Sequence, residues 1–191
     1  MRQIFIGIIV FVFAGSISNP LSSQTVDSIT AGMKEKFYID LYLGVQVSGI
    51  RKEDYVASNF APYIQLSAGK WLTRNLALAL TYQGPYFNFI GDSSKHKYVY
   101  LGGDAILNIN RFFTESNTGV WNINVFAGPG LLYNDFYSKT NFCFSTGLVN
   151  EVKIKNDISL KFKVSAIIGH SIYQKDEDIL PNISLGLSKT F

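Results

Sequence analysis

Beyond its first two dozen residues the chain alternates apolar with small or polar residues almost continuously, and no stretch shows helical periodicity. The clearest run sets Phe37, Ile39, Leu41, Leu43, Val45 and Val47 against Tyr38, Asp40, Tyr42, Gly44, Gln46 and Ser48. A period of two belongs to a strand with two different faces. Ile64, Leu66, Ala68 and Leu72 then lead through Thr73, Arg74 and Asn75 into Leu76, Leu78, Leu80 and Tyr82, which predicts a tight hairpin. A fourth strand carries Val99, Leu101, Ala105, Leu107 and Ile109, and a fifth Trp121, Ile123, Val125, Ala127, Leu131 and Tyr133. The sixth, with Phe142, Phe144, Leu148, Val152 and Ile154, turns through Lys155, Asn156 and Asp157 into the seventh, Ile158 to Ile168. The eighth closes with Ile183, Leu185, Leu187 and Phe191. Pro129, inside Gly128-Pro129-Gly130, cannot donate to a ladder and predicts a bulge.

The connections alternate too. Those after the second and sixth strands are tight, whereas residues 49–60, 88–97, 134–140 and 173–179 read as longer polar loops. That asymmetry matches an up-and-down transmembrane β-barrel, with short periplasmic turns and longer extracellular loops. The link at residues 110–119 is the exception, since it falls on the periplasmic side yet is long. The expected fold is all-β, an eight-stranded antiparallel barrel.

The N-terminus fits an exported protein. Arg2 precedes an apolar core from Ile4 to Ala14, shorter than the roughly 20 residues a membrane-spanning helix needs, followed by a small and polar segment. Residues 1–23 are expected to be a cleaved signal peptide, with a cut near Ser16 or Ser18 as the alternative, and residues 24–191 the barrel domain. The net charge of +3 falls to +2 without Arg2, and no basic run appears, so nucleic acid is not an expected partner. The lone Cys143 excludes an internal disulfide, and no Cys/His metal constellation or cofactor motif is present.

Alternation alone does not say which face is wet, because a soluble lipocalin-like carrier inverts the same pattern. Charged residues make up only 16% of the chain, against about 25% in soluble domains, and the polar face is mainly Gly, Ser, Thr, Asn, Gln and Tyr. These suit a narrow interior. The charges on that face are Asp40, Asp104 and Glu151 against Lys153, Lys161 and Lys163, a balance expected to pair as an interior polar network. On the apolar face, Phe37, Trp121 and Phe191 fall at expected periplasmic ends, and Tyr82, Tyr86, Tyr133, Phe142 and Phe144 at extracellular ends. Two interfacial aromatic girdles are thereby expected. Lys70 and Lys189 lie near periplasmic ends, where they can snorkel to headgroups.

On this signal segment, strand register, the Ala127-Gly128-Pro129-Gly130 strand and the final run from Ile183 to Phe191, the chain resembles the small outer-membrane β-barrels of Gram-negative bacteria, especially the Bacteroidetes type. The resemblance implies an outer-membrane location, surrounding outer-membrane lipid, and Phe191 as the terminal aromatic read by the barrel-assembly machinery. It does not fix function, because such barrels serve as anchors, adhesins, narrow channels and lipid-modifying enzymes.

An eight-stranded barrel is just wide enough for side chains to fill it, which disfavours a wide pore, although Gly102-Gly103 could open a narrow or lateral path. A neutral-pH general base would have to be His96 or His170. His170 falls on the lipid face as in lipid A deacylases, but their paired position is here Ile172, with Ser171 inward. His96 lies in a loop with Asp92, Ser93 and Ser94, loosely like lipid A palmitoyltransferases. Cys143 faces inward and reads as a packed thiol. No catalysis is expected. Tyr55, Phe60, Phe136, Tyr137 and Tyr173 offer aromatic contacts on the loops, where an envelope or surface protein partner would bind.

Overall fold

A computed structural model describes residues 36–48, 60–88, 95–113, 120–135, 137–170, 172 and 177–191. The expected signal peptide at residues 1–23 and its cleavage site lie outside them. Eight strands follow one another: β1 (Phe37–Val47), β2 (Phe60–Trp71), β3 (Leu76–Asn88), β4 (Lys95–Asn108), β5 (Trp121–Asn134), β6 (Lys139–Lys153), β7 (Ile158–His170) and β8 (Glu177–Thr190), with a short helix α1 (Asn110–Phe113) between β4 and β5. Each pairs antiparallel with the next, and β8 returns to β1 to close the barrel. The closing register runs from Tyr38 opposite Thr190 to Gln46 opposite Asn182.

The sense of the alternation is settled. Ile39, Leu41, Leu43 and Val45 point outward at 46–59% exposure, while Tyr38, Asp40, Tyr42 and Gln46 between them are buried. The same holds around the wall, with Leu66, Leu80, Leu101, Leu148, Leu160 and Leu185 outside and Gln65, Thr81, Asn124, Lys163 and Ser184 inside. This is the reverse of a lipocalin-like carrier. Water around such a belt would face a continuous apolar surface far larger than a soluble monomer shows. Among the described residues no helix is long and apolar enough to cross a membrane.

The two tight turns are built alike. Leu72 and Thr73 N–H groups both donate to the Leu76 carbonyl, and Ile154 and Lys155 to that of Ile158. Thr73 Oγ1 accepts from the Asn75 and Leu76 amides at 3.3 and 3.0 Å, fixing the first turn.

Several boundaries differ from the sequence reading. β2 starts at Phe60, β4 at Lys95 and β8 at Glu177, so the strands project further at the extracellular end and the loops shrink. The β5–β6 loop reduces to residues 135–138, a turn with Ser138 at φ 50°. Ladder bonds satisfy the backbone wherever two strands run together, whether or not their side chains alternate in hydropathy. Pro129 makes no bulge, because the β4–β5 register is the same on both sides of it.

Candidate functional site

Among the described residues the barrel interior holds an extended assembly of buried polar groups, and it is layered. Nearest the periplasmic end, Lys161 donates to both Asp40 oxygens at 2.9 and 2.8 Å, and the Tyr42 hydroxyl adds a third donor at 3.2 Å. The Lys161 ammonium also lies 4.9 Å from the Tyr38 ring centroid. Tyr38 leans on Trp71 at 6.3 Å, and the Arg111 guanidinium covers Trp71 at 5.2 Å while donating to the Arg74 carbonyl. Charge and ring thus alternate from mid-barrel to the mouth, each cation held by a π face. Arg111 comes from α1, whose start is pinned to β4 and β5: Asn110 Oδ1 accepts from the Ile123 amide and Asn108 Oδ1 from the Arg111 amide. Partial burial lowers the Arg111 pKa; Glu151 opposes this and Arg74 adds to it.

At mid-height a second chain of bonds circles the lumen. Lys163 donates to Gln65 at 2.9 Å, Gln65 to Ser67 at 3.0 Å, Ser67 and Thr81 share a bond of 3.1 Å, and Thr81 donates to Asp104 at 2.7 Å. Ser145 donates to the other Asp104 oxygen. Above it, Tyr98 donates to Gln46 at 2.7 Å, Gln83 to both, and Tyr63 to Asn182 at 2.8 Å. In the extracellular third an apolar cluster of Tyr98, Tyr100, Leu132, Cys143, Ile167, Ile172 and Leu180, each at most 2% exposed, packs beside the buried polar side chains of Asn134 and Asp178.

Of the six interior charges read from the sequence, Asp40 and Lys161 form an ion pair. Asp104 and Lys163 are buried without meeting a carboxylate or ammonium partner within salt-bridge reach; Asp104 rests on hydroxyls, and Lys163 on Gln65 and the rings of Phe126 (4.2 Å) and Tyr42 (5.4 Å). Glu151 accepts from Asn124 at 3.3 Å and Lys153 is half-buried at the rim. The apolar cluster toward the extracellular end was not legible as such, because Leu132, Ile167 and Leu180 interrupt faces that are otherwise polar.

Phe37, Trp121, Phe191, Tyr133, Phe142 and Phe144 all lie on the outer wall at 40–68% exposure. Tyr82 is outward but at mid-strand rather than at an end, because β3 continues to Asn88; the Tyr86 side chain lies outside the description. Lys70 and Lys189 sit against the rings of Phe37 and Phe191 at 5.1 and 5.4 Å. Of the loop aromatics, Phe60 is exposed at the start of β2 and Tyr137 half-buried; Tyr55, Phe136 and Tyr173 lie outside the described residues.

His96 belongs to β4 rather than to a loop, opposite Phe87, with its side chain outside the description. His170 ends β7, exposed. Ile172 does not share its face. The chain leaves the strand after His170, Ile172 turns into the barrel at 0% exposure, and Asn134 donates to its carbonyl at 2.9 Å. Cys143 is buried, as its register required. Among the described residues no three His, Cys, Asp or Glu groups gather as a metal site.

Comparison with known proteins agrees on the architecture. Neisserial surface protein A superposes with a TM-score of 0.57 over 81% of this chain and 97% of its own, at 14% identity. The chain has the fold of a small outer-membrane barrel. The attachment invasion locus protein Ail of Yersinia pestis gives 0.53 at 10% identity, covering 83% and 100%, and OprG of Pseudomonas aeruginosa 0.52 at 8%, covering 82% and 95%. No family model and no curated protein sequence matches. An exposed apolar belt on that fold places the barrel in an outer membrane.

Proposed function

We propose that this barrel is a non-catalytic outer-membrane scaffold that presents its extracellular connections to an envelope or surface protein. The observation that carries the reading is the filled lumen: an interlocked polar middle, a buried apolar cluster toward the extracellular end and an Arg111–Trp71 cover leave the inside serving rigidity. Rigid walls with strands projecting past the lipid suit a platform for loops. Ail is named for attachment and invasion, a role of the same surface-facing class. The narrower kinship with Bacteroidetes-type barrels rests on the sequence pattern.

Replacing residues 49–59 and 173–176 with short Gly/Ser turns is expected to preserve assembly and abolish retention of envelope proteins crosslinked to the full chain. Unchanged retention removes the binding role. Phe191, exposed beside Lys189 at the end of the closing strand, is the proposed signal to the assembly machinery. Its deletion should leave refolding into detergent intact while lowering the folded fraction in a Gram-negative host; equal cellular yields refute that role.

A further inference from the structure

The ladder is broken on both sides of β4. Toward β5 the partners run from Tyr98 opposite Asn134 to Gly102 opposite Gly130 and resume at Ala105 opposite Ala127. Toward β3 they run from Leu76 opposite Leu107 to Gln83 opposite Tyr100 and resume at Tyr86 opposite Lys97. The registers of the other six strand pairs are continuous among the described residues.

No residue is inserted at either break; a donor is missing. Hydrogen-bonded pairs alternate along an antiparallel ladder. The Asp135 amide on the Lys97 carbonyl and the Ile109 amide on the Ile123 carbonyl fix that alternation, and set position 129 against the Gly103 carbonyl. On the other side, the Asn108 amide on the Asn75 carbonyl sets position 85 against the Tyr98 carbonyl. Both positions are proline, which has no N–H. Each follows a glycine that makes room for the facing carbonyl: a Cβ at Gly128 would overlap the Gly103 oxygen, and one at Gly84 would lie 2.9 Å from the Tyr98 oxygen.

At each break an interior side-chain bond crosses the gap. Ser145 of β6 reaches over Gly128 to Asp104 of β4, whose second oxygen is held by Thr81 of β3. Gln83 of β3 donates to the Tyr98 hydroxyl of β4 at 3.0 Å. On the lipid side, Gly103 has open space where a side chain would be. Just below it lies an apolar concavity of about 460 Å³ lined by Ala105, Leu107, Val125, Ala127, Thr146 and Leu148, among others.

We infer that β4 is the opening strand of the wall: the Ser145–Asp104 and Gln83–Tyr98 bridges hold it where two prolines interrupt its ladders, and the β4–β5 seam is where the wall parts toward lipid. The test is amide hydrogen exchange on the full chain refolded into phosphatidylcholine vesicles, with folding checked by unboiled gel mobility. The amides of Gly103, Ala105 and Ala127, which point across the seam, should exchange about tenfold faster than those of Lys161, Lys163, Ser184 and Gly186, which point across the unbroken β7–β8 ladder. Ser145→Ala should accelerate the seam by a further order of magnitude and leave β7–β8 unchanged. Pro129→Ala, which removes no hydrogen bond and returns a donor, should slow it. Equal protection of the two ladders in the natural sequence overturns the inference, as does a Ser145→Ala effect that is absent or spread evenly around the barrel. Should Ser145→Ala fail to assemble, Pro129→Ala decides alone, and no slowing counts against the seam.

Discussion

Lys161 and Asp40 are separated by 121 residues in sequence and by one hydrogen bond in space. Both are buried, so their value lies in mutual compensation. Lys161→Met strands a carboxylate with only Tyr42 as donor and should cost about 3–5 kcal/mol in urea unfolding from vesicles. The double variant with Asp40→Asn should recover much of that loss, giving a coupling of about 1–3 kcal/mol in a double-mutant cycle. Strict additivity would show that the two charges do not depend on each other. Lys163 is held differently, by one amide oxygen and two rings, so Gln65→Leu should cost about 1.5–3 kcal/mol by removing its acceptor. Which charges face inward was legible, because the period of two assigns a face. Which partner each one takes was not: a side chain's reach across a lumen depends on barrel geometry, which no local pattern encodes.

At the scale of the strand, the apolar face behaves oppositely to an exposed leucine in water. Leu66 sits near the middle of β2 at 48% exposure. A surface leucine of a soluble protein is replaced by lysine within about 0.5 kcal/mol, whereas a lipid-facing position at the midplane costs about 2–4 kcal/mol and one near an interface about 0–1. Leu66→Lys is therefore expected to be strongly destabilising and Leu72→Lys, beside the turn, nearly neutral, as measured by equilibrium unfolding in vesicles. Equal costs at the two positions would contradict a membrane-embedded belt. All eight strands were legible within that belt, since lipid on one side enforces alternation. Their extracellular extensions were not, because water on both sides leaves no face to mark. Lys95, His96 and Lys97 pair with Asn88, Phe87 and Tyr86 in that extension. Ile172 shows the same limit, since register ceases to predict a face once the strand ends.

Across the whole molecule, the layered lumen predicts the absence of discrete conductance when the refolded chain is inserted into planar bilayers. Stable unitary steps would mean that the interior layers part to pass ions. The topology also constrains how the molecule can be made. β1 and β8 are the first and last strands of the sequence, and their pairing ends with the Phe191 amide on the Phe37 carbonyl. Contacts of such sequence separation form late and slowly. A chain that ends before β8, through a premature stop or proteolysis in transit, is a curved seven-stranded sheet with two bare edges, each a row of unclaimed amides and carbonyls beneath an apolar face. Such edges recruit other strands. Truncation therefore converts a protein designed to have no edges into a seed for cross-chain β-pairing, and in this barrel a defect confined to the final fourteen strand residues has that effect on the whole.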